Sequence, residues 1–578
     1  MKKNYLLLCI ALCSQILAQV PNYTTPRYLD KNMVKARMNT VNNQFWAIYA
    51  NNKASYEVPK GKGANAQFAN SLWIGGYDHQ GTLHISANTY RQNGADFWPG
   101  PLDTTNINAY TTSNTAVYNS LWKVDCNDIN NFVTAWNNGQ VAAGTYTTPA
   151  DLLNYPAKGI GNFQKSMEPF YDANSNGAYN PVTDGDYPII KGHQQILSIY
   201  NDNFTTHTET MGAPAMGLEV HQRLYCYQDT TLPDSMQAVN YSTFVYYTIY
   251  NRSATRYYNV YLTDWNDVDL GYYGDDFVGT DTVNGFTYCY NGDNFDETVF
   301  GNAGYGQQPP VISHAVLKTP CGNDGIDNDC DSIIDEPGEQ FIMNRSSYYV
   351  NNTGTPTVAM TNPDSAIHYY RFMSGKWKNG TPVTYGGTGY GGSIPAKFVY
   401  TGDPSNNTGW TEGTAGNTPG DRRIFFSSGP FDFPAHSKLE WGYAIVFSED
   451  VNANVNTITE FHSRVQRDVR NVLYYDQMHQ NAQCAPSVAT GIQQFNGPQL
   501  KALVYPNPAW NSITVQLSQS VKKADIKFVD ISGRLMKEAS FDGTSSASIE
   551  TSDLTTGLYF VEISAGNLRT VQKLVKSR

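Results

Sequence analysis

Residues 238–265 read AVNYSTFVYYTIYNRSATRYYNVYLTDW. Two runs rich in Val, Ile, Thr and Tyr flank 251–255, a cluster of short polar residues. β-Branched and aromatic side chains suit a pleated, half-buried surface, and Asn and Ser suit the turns between strands. The stretch therefore predicts two strands around a turn. KLEWGYAIVFSED (438–450) and GDRRIFFSS (420–428) have the same make-up. The whole chain extends the pattern: it holds 41 Tyr, 25 Phe and 48 Gly, and only 16% of its residues are charged. We expect a mainly β, multi-domain protein built of Ig-like or jelly-roll-like β-sandwiches with few helices.

Helical periodicity is scarce. From 457 to 478, Ile458, Phe461, Val465, Val469 and Val472 recur at three- and four-residue steps. Thr457 and Glu460 form a capping-box pattern at the start, while Arg464, Arg467 and Arg470 fall on the opposite, solvated side. A shorter helix is expected over 127–136.

The N-terminus reads as an export signal over 1–18. Lys2 and Lys3 precede an apolar run, and Ala18 offers a small residue for cleavage. That run is about 13 residues, too short to span a bilayer, and no later stretch reaches 18 apolar residues. No transmembrane segment is expected. Export places Cys126, Cys226, Cys289, Cys321, Cys330 and Cys484 in an oxidising compartment, where six cysteines allow fifteen pairings. Cys321 and Cys330 are the one close pair and are expected to be bridged. The remaining organisation is read as an N-terminal β-rich region (19–190), a β-sandwich body (191–485), a linker (486–503) and a small C-terminal β-sandwich (504–578).

Residues 501–578 hold 10 Lys and Arg against 7 Asp and Glu, so the rest of the chain carries −15 of the total −12. An acidic body argues against nucleic acid or an anionic membrane as partner.

The C-terminal segment contains VYPNPAWNSITVQL (504–517), FVDISGRLMKE (528–538), SDLTTGLYFVEIS (552–564) and a basic end at QKLVKSR (572–578). Ile513, Val515 and Leu517 alternate, as do Ile526 and Phe528, and then Tyr559, Val561 and Ile563. With Tyr505-Pro506-Asn507-Pro508, Asp530, Gly533-Arg534 and Gly557-Leu558-Tyr559 in this order, the segment resembles the type A C-terminal sorting domain of the type IX secretion system. The resemblance implies passage across the outer membrane by that machinery, removal of the domain, and attachment of the remainder to surface lipopolysaccharide or its release. The body (71–103, 171–188, 271–297, 425–450) resembles a family of large, uncharacterised bacterial surface proteins that carry the same tail.

Three acidic segments are candidate sites. CGNDGIDNDCDSIIDEP (321–337) places Asn323, Asp324, Asp327, Asp329, Asp331, Asp335 and Glu336 in one short stretch. Hard oxygen donors in that number suit Ca²⁺. The stretch departs from an EF-hand loop at Ser332 and Gly338 and more closely resembles the Asp-rich loops of thrombospondin-like proteins and the MopE-type metal-binding motif. Bridged cysteines would not serve as copper ligands there, which leaves oxygen donors and Ca²⁺. YDANSNGAYNPVTDGDYP (171–188) places Asp172, Asn174, Asn176, Gly177, Asn180 and Asp184 close to EF-hand spacing. An Asx-rich turn without a ligand is the competing reading. Third, Asp264, Asp267, Asp269, Asp275 and Asp276, followed by Asp293 and Asp296, gather after a predicted strand. They fit a cation site, plain turns, or paired carboxylates for hydrolysis.

HExxH, GxSxG and GxxxxGK[ST] patterns do not occur. His207, His221 and His314 read as ordinary polar or core positions. Trp73, Tyr90, Phe97, Trp98 and Trp410 could stack on sugars, although core packing is the commoner role. The expectation is a secreted or cell-surface β-protein stabilised by structural Ca²⁺ and non-catalytic, serving adhesion, surface structure or the binding of a glycan or protein. The alternative is a secreted hydrolase of polysaccharide or protein that uses the clustered carboxylates.

Overall fold

In the structure, a computed structural model, residues 25–47, 53–89, 94–109, 116–299, 301–320, 343–350, 357–449, 461–479, 484, 502–507, 509–517, 520–530, 534–566 and 568–577 are described. They fall into two compact units, Met1–Pro486 and Ser487–Arg578. The fold is mainly β, as expected.

The two strands of the opening stretch form, but they do not pair with each other. Thr243–Asn251 lies between Leu218–Cys226 and Lys438–Ser448 in a nine-stranded antiparallel sheet. Tyr257–Val268 lies between Arg422–Phe433 and Ala69–Tyr77 in a five-stranded sheet. The turn at 251–255 is thus an arch from one layer of a sandwich to the other. Residues 434–437 make the same crossing between Arg422–Phe433 and Lys438–Ser448. Asn251 stitches the two arches together: its Nδ2 donates to the carbonyls of Thr255 at 2.8 Å and Pro434 at 2.9 Å.

The inner faces share one core. Leu72, Leu262 and Phe426 from the five-stranded sheet face Tyr247, Trp441, Tyr443 and Ile445 from the nine-stranded sheet, with the Phe426 ring against Trp441 and Tyr443. Trp73 and Phe425 lie on the opposite face of the five-stranded sheet, against Tyr369 and Phe372. The outer face of the larger sheet is also covered, so Thr243–Asn251 is buried on both sides rather than alternating. The helix Phe461–His479 covers part of it, with Val465, Val469, Val472 and Tyr475 packed on Tyr225, Phe244, Tyr246 and Val446. Residues 457–460 and their capping pair lie outside the described residues. The expected short helix is Cys126–Asn137, capped by Asp125, whose side chain accepts from the Asn127 N–H. Its Ile129, Phe132 and Val133 pack with Trp122, Leu197 and Ile199.

The boundary expected at 190 falls inside a single unit. Trp122–Asp125 pairs with Gln194–Asn201, and Ala69–Tyr77 pairs with Tyr257–Val268. Each side of residue 190 supplies neighbours that the other side's strands need, so neither could close its sheets alone. One unpredicted helix, Ala366–Met373, buries Tyr369, Tyr370, Phe372 and Met373, an aromatic run that composition alone assigns to strand.

A disulfide joins Cys126 to Cys484, 358 residues apart, while Cys226 and Cys289 are buried thiols. The bridge expected between Cys321 and Cys330 lies outside the described residues, as does the signal at 1–18. No described helix is long and apolar enough to cross a membrane.

In Ser487–Arg578, a three-stranded and a four-stranded antiparallel sheet enclose a separate core. Ile513, Val515, Leu517, Ile526, Phe528, Tyr559, Val561 and Ile563 all point into it, so the alternation in the sequence reports the buried face directly.

Candidate functional site

The loop at 171–188 is closed by a two-residue pairing of Phe170–Tyr171 with Tyr187–Pro188, where the rings of Tyr171 and Tyr187 stack at 4.7 Å. Inside it the Asx side chains turn the backbone. Asp172 accepts from the N–H groups of Asn176 (3.1 Å) and Gly177 (2.8 Å). Asn174 Oδ1 accepts from Asn176 and Asn176 Oδ1 from Ala178. Gly177 has φ +74°, a left-handed conformation that a side chain would strain, which is why glycine stands there. The amides of Asn176 and Asn180 both donate to Asp184 Oδ2, at 2.9 and 3.0 Å, and these bonds hold its carboxyl below the usual range. All of the predicted loop residues therefore share one turn. Asp186, which the spacing did not single out, is fully buried and staples it, accepting from Ala173 at 2.9 Å and Asn180 at 2.8 Å.

The segment 321–337, with Asn323, Asp324, Asp327, Asp329, Asp331, Asp335, Glu336 and both cysteines, lies outside the described residues.

The third acidic cluster divides into four environments. Asp264 is inside the sandwich, where it accepts from Asn70 (2.7 Å), Asn266 (2.8 Å) and His314 (2.7 Å), tying one sheet to the other. Asp267 pairs with the Arg423 guanidinium at 2.9 Å, and Asp421 pairs with it too. Oxygens of Asp267, Asp269 and Asp421 lie within 4.8 Å of one another. Asp293 is a turn residue, accepting from the Phe295 N–H at 2.8 Å. Asp275, Asp276 and Asp296 form the fourth group. Burial pushes Asp275 up to about 7 and Asp296 up to about 6, and burial together with Asp275 raises Asp276 well above the carboxylate range. Asp296 is held by the N–H groups of Tyr272 and Tyr305, at 2.9 and 2.6 Å.

Sequence reasoning missed a largely buried chain of alternating charge, with Glu168, Glu219 and His221 buried and Arg252 half-buried at its end. His221 lies between Glu168 (2.7 Å) and Glu219 (3.1 Å). Arg223 forks onto Glu168 at 2.7 Å, and Arg252 reaches Glu219 at 2.6 Å. Burial alone would lower the His221 pKa, but its hydrogen bonds to the two glutamates outweigh burial and raise it. Glu219 is lowered to about 2, its burial outweighed by His221 and Arg252. The available signal was Glu219-x-His221-x-Arg223, three ionisable residues on one face of a strand otherwise made of core residues. A second buried group is Glu209, accepting from Thr89 (2.5 Å) and Tyr369 (3.0 Å).

The aromatic residues considered for sugar stacking are core. Trp73, Phe97, Trp98 and Trp410 are at most 4% exposed, packed against neighbouring rings such as Tyr369, Tyr200, His207 and Tyr400; Tyr90 lies outside the described residues. A cavity of about 480 Å³ beside Phe461–His479 is lined by Val283, Asn284, Val316, Met343, Arg470 and Tyr474, among others, and by none of the clustered carboxylates.

Residues 503–577 match the family described as the secretion system C-terminal sorting domain. The chain is a cargo of the type IX secretion system. Its destination is the cell surface or the extracellular space. A search of curated proteins finds no sequence relative of this cargo. Among solved structures, it is compared with a polysaccharide lyase at 6% identity and TM-score 0.18, over 62% of this chain and 34% of the lyase. It is also compared with the BSP domain of a biofilm-associated protein at 7% identity and TM-score 0.12, over 66% of this chain and 60% of that one. The chain thus spans about a third of the lyase's length, and at these scores neither likeness carries an argument about fold or activity.

Proposed function

We propose that this type IX cargo is a calcium-stabilised, non-catalytic β-sandwich protein of the surface or extracellular space, serving adhesion, surface structure or the binding of a glycan or protein. The observation that supports it is the 171–188 loop. Asp172 and Asp184 and the amides of Asn174, Asn176 and Asn180 form an oxygen donor set on one turn. An amide exchanges its oxygen and nitrogen by half a rotation, so Asn176 and Asn180 can present oxygen to a cation that Asp184 also meets. Oxygen donors without nitrogen or thiolate select a hard cation, and only two carboxylates suit the weak affinity class of extracellular calcium modules. We extend the same reading to the Asp-rich segment 321–337.

The hydrolase alternative requires two carboxylates flanking a bond that substrate can reach. Asp264 and Asp276 are fully buried and Asp267 is 1% exposed, which favours a scaffold role for that cluster. The test is elemental analysis and melting of the full chain with and without chelator, beside an Asp172→Ala/Asp184→Ala variant. The expected result is bound calcium in the parent, a lower Tm in chelator, and about one ion fewer per chain in the variant. Calcium-free protein with the same Tm in chelator overturns the proposal.

A further inference from the structure

We propose that the outward face of the four-stranded sheet in Ser487–Arg578 is the surface on which the type IX secretion machinery docks, through an apolar stripe that ends at an unmatched lysine. The sheet runs in the order Leu535–Asp542, Lys523–Asp530, Gly557–Ala565, Leu568–Lys576. Ile526, Phe528, Val561 and Leu574 fill the core on one side, so their neighbours along each strand point outward. A sheet face met only by water is expected to be polar. One end of this face is not. The register sets Leu535 opposite Val529, Val529 opposite Phe560, Phe560 opposite Lys573 and Leu558 opposite Val575. Side chains paired in this way stand close enough to make one continuous surface. Leu535 is 47% exposed, Phe560 40% and Val575 38%, Val529 and Leu558 are half-buried, and none of the five joins the core between the two sheets.

The other half of the same face is built as a solvated sheet should be. Lys527 pairs with Glu538 at 3.2 Å and Lys523 with Asp525 at 2.7 Å, so its charges are balanced in place. The three-stranded sheet also turns polar groups outward: Gln516 and Thr514 stand opposite Leu503 and Tyr505, and Ser546 and Ser548 stand beyond them. The stripe is therefore local to one end of one sheet. An exposed apolar stripe with an aromatic ring at its centre has the make-up of the interior of a protein contact. Lys573 lies at its rim, exposed and opposite Phe560. Unlike Lys523 and Lys527, it makes no ion pair among the described residues. Such a surface fits a partner that is apolar at its centre and offers a carboxylate at its edge. A second copy laid stripe on stripe would bring another uncompensated lysine instead. The match of residues 503–577 to the sorting-domain family points to a component of the secretion machinery as that partner.

The test expresses the full chain in a bacterium that carries the type IX system and compares the amount at the surface and in the medium with the amount held in the periplasm. Phe560→Ser/Val575→Ser is expected to lower delivery about tenfold, as loss of the centre of a contact does, and to leave folded protein in the periplasm. Lys573→Glu, which removes no apolar contact, should act in the same direction. Lys527→Gln/Glu538→Gln, on the balanced half of the face, should deliver as the parent does. Limited proteolysis of the retained protein reads the fold of the tail, and lost delivery with a protease-resistant tail supports the proposal. Should the serine pair unfold the tail, Lys573→Glu alone decides. Delivery at the parent's level overturns the proposal, and so does an equal loss in the Lys527→Gln/Glu538→Gln pair. A dimer that the serine pair dissolves on sedimentation, with delivery unchanged, would overturn it by assigning the face to a second copy.

Discussion

Glu209 illustrates how burial turns a single side chain into a pH-dependent element. Its Oε2 is buried without a partner, and Tyr369 and Thr89 donate only to Oε1. Burial, with Asp96 adding to it, raises its carboxyl from 4.5 to about 8. A raised value means that the folded state holds its proton more tightly than the unfolded chain does. The stabilisation is fully present below about pH 4.5 and is lost as the pH climbs through about 8. Glu209→Gln keeps the acceptor and removes the charge. We expect little change in stability at pH 4 and a gain of up to ~4 kcal/mol at pH 8, read by urea unfolding at both values. A pH dependence identical to that of the parent would refute this. The His221 chain works in the opposite sense on its acidic side: the contribution of Glu219 is present above about 4.5 and lost toward about 2.

At the scale of elements, the arches decide the architecture. Thr243–Asn251 and Tyr257–Val268 are adjacent in sequence, yet five intervening residues carry the chain from one layer to the other. Asn251 makes that turn specific by donating to carbonyls of both arches, while its Oδ1 accepts from Ser253 N–H (3.1 Å) and Oγ (2.7 Å). Asn251→Ala leaves those buried groups without partners, at a cost of about 2–4 kcal/mol. Denaturant unfolding with an unchanged m-value and a lowered midpoint is the expected result; a loss below about 0.5 kcal/mol would show the arches to be held elsewhere. The helix Phe461–His479 was legible because Val465, Val469 and Val472 repeat on one face. Its partner surface was not, because Phe244, Tyr246 and Val446 alternate on strands whose other face is equally apolar.

For the molecule as a whole, the two units have separate cores, so the tail should be dispensable for folding. A chain ending at Pro486 keeps Cys484 and its bridge to Cys126. It is expected to fold with the body's melting transition intact, measured by near-ultraviolet circular dichroism, and to fail to reach the cell surface. An unfolded truncated body would contradict the separation of the cores.

What the chain's order of residues determined alone was local in origin: the sorting tail, from motifs in a set succession; the β class, from alternation and aromatic content; the helix Phe461–His479, from three- and four-residue steps; and the Asx loop, whose members all sit within a few residues. Glycine at 177 already announced the left-handed turn. The tertiary structure decided everything that depends on distant partners. It placed strands from both sides of residue 190 in common sheets, joined Cys126 to Cys484, and distributed one run of aspartates among a sheet-bridging histidine, a guanidinium, a turn and a group of carboxylates whose pKa values burial raises. His221 meets Glu168 from 53 positions away and Asp264 meets His314 across 50. Strand pairing and buried charge pairing depend on which surfaces the folded chain brings together, and that juxtaposition is encoded by the whole core at once rather than by any short stretch.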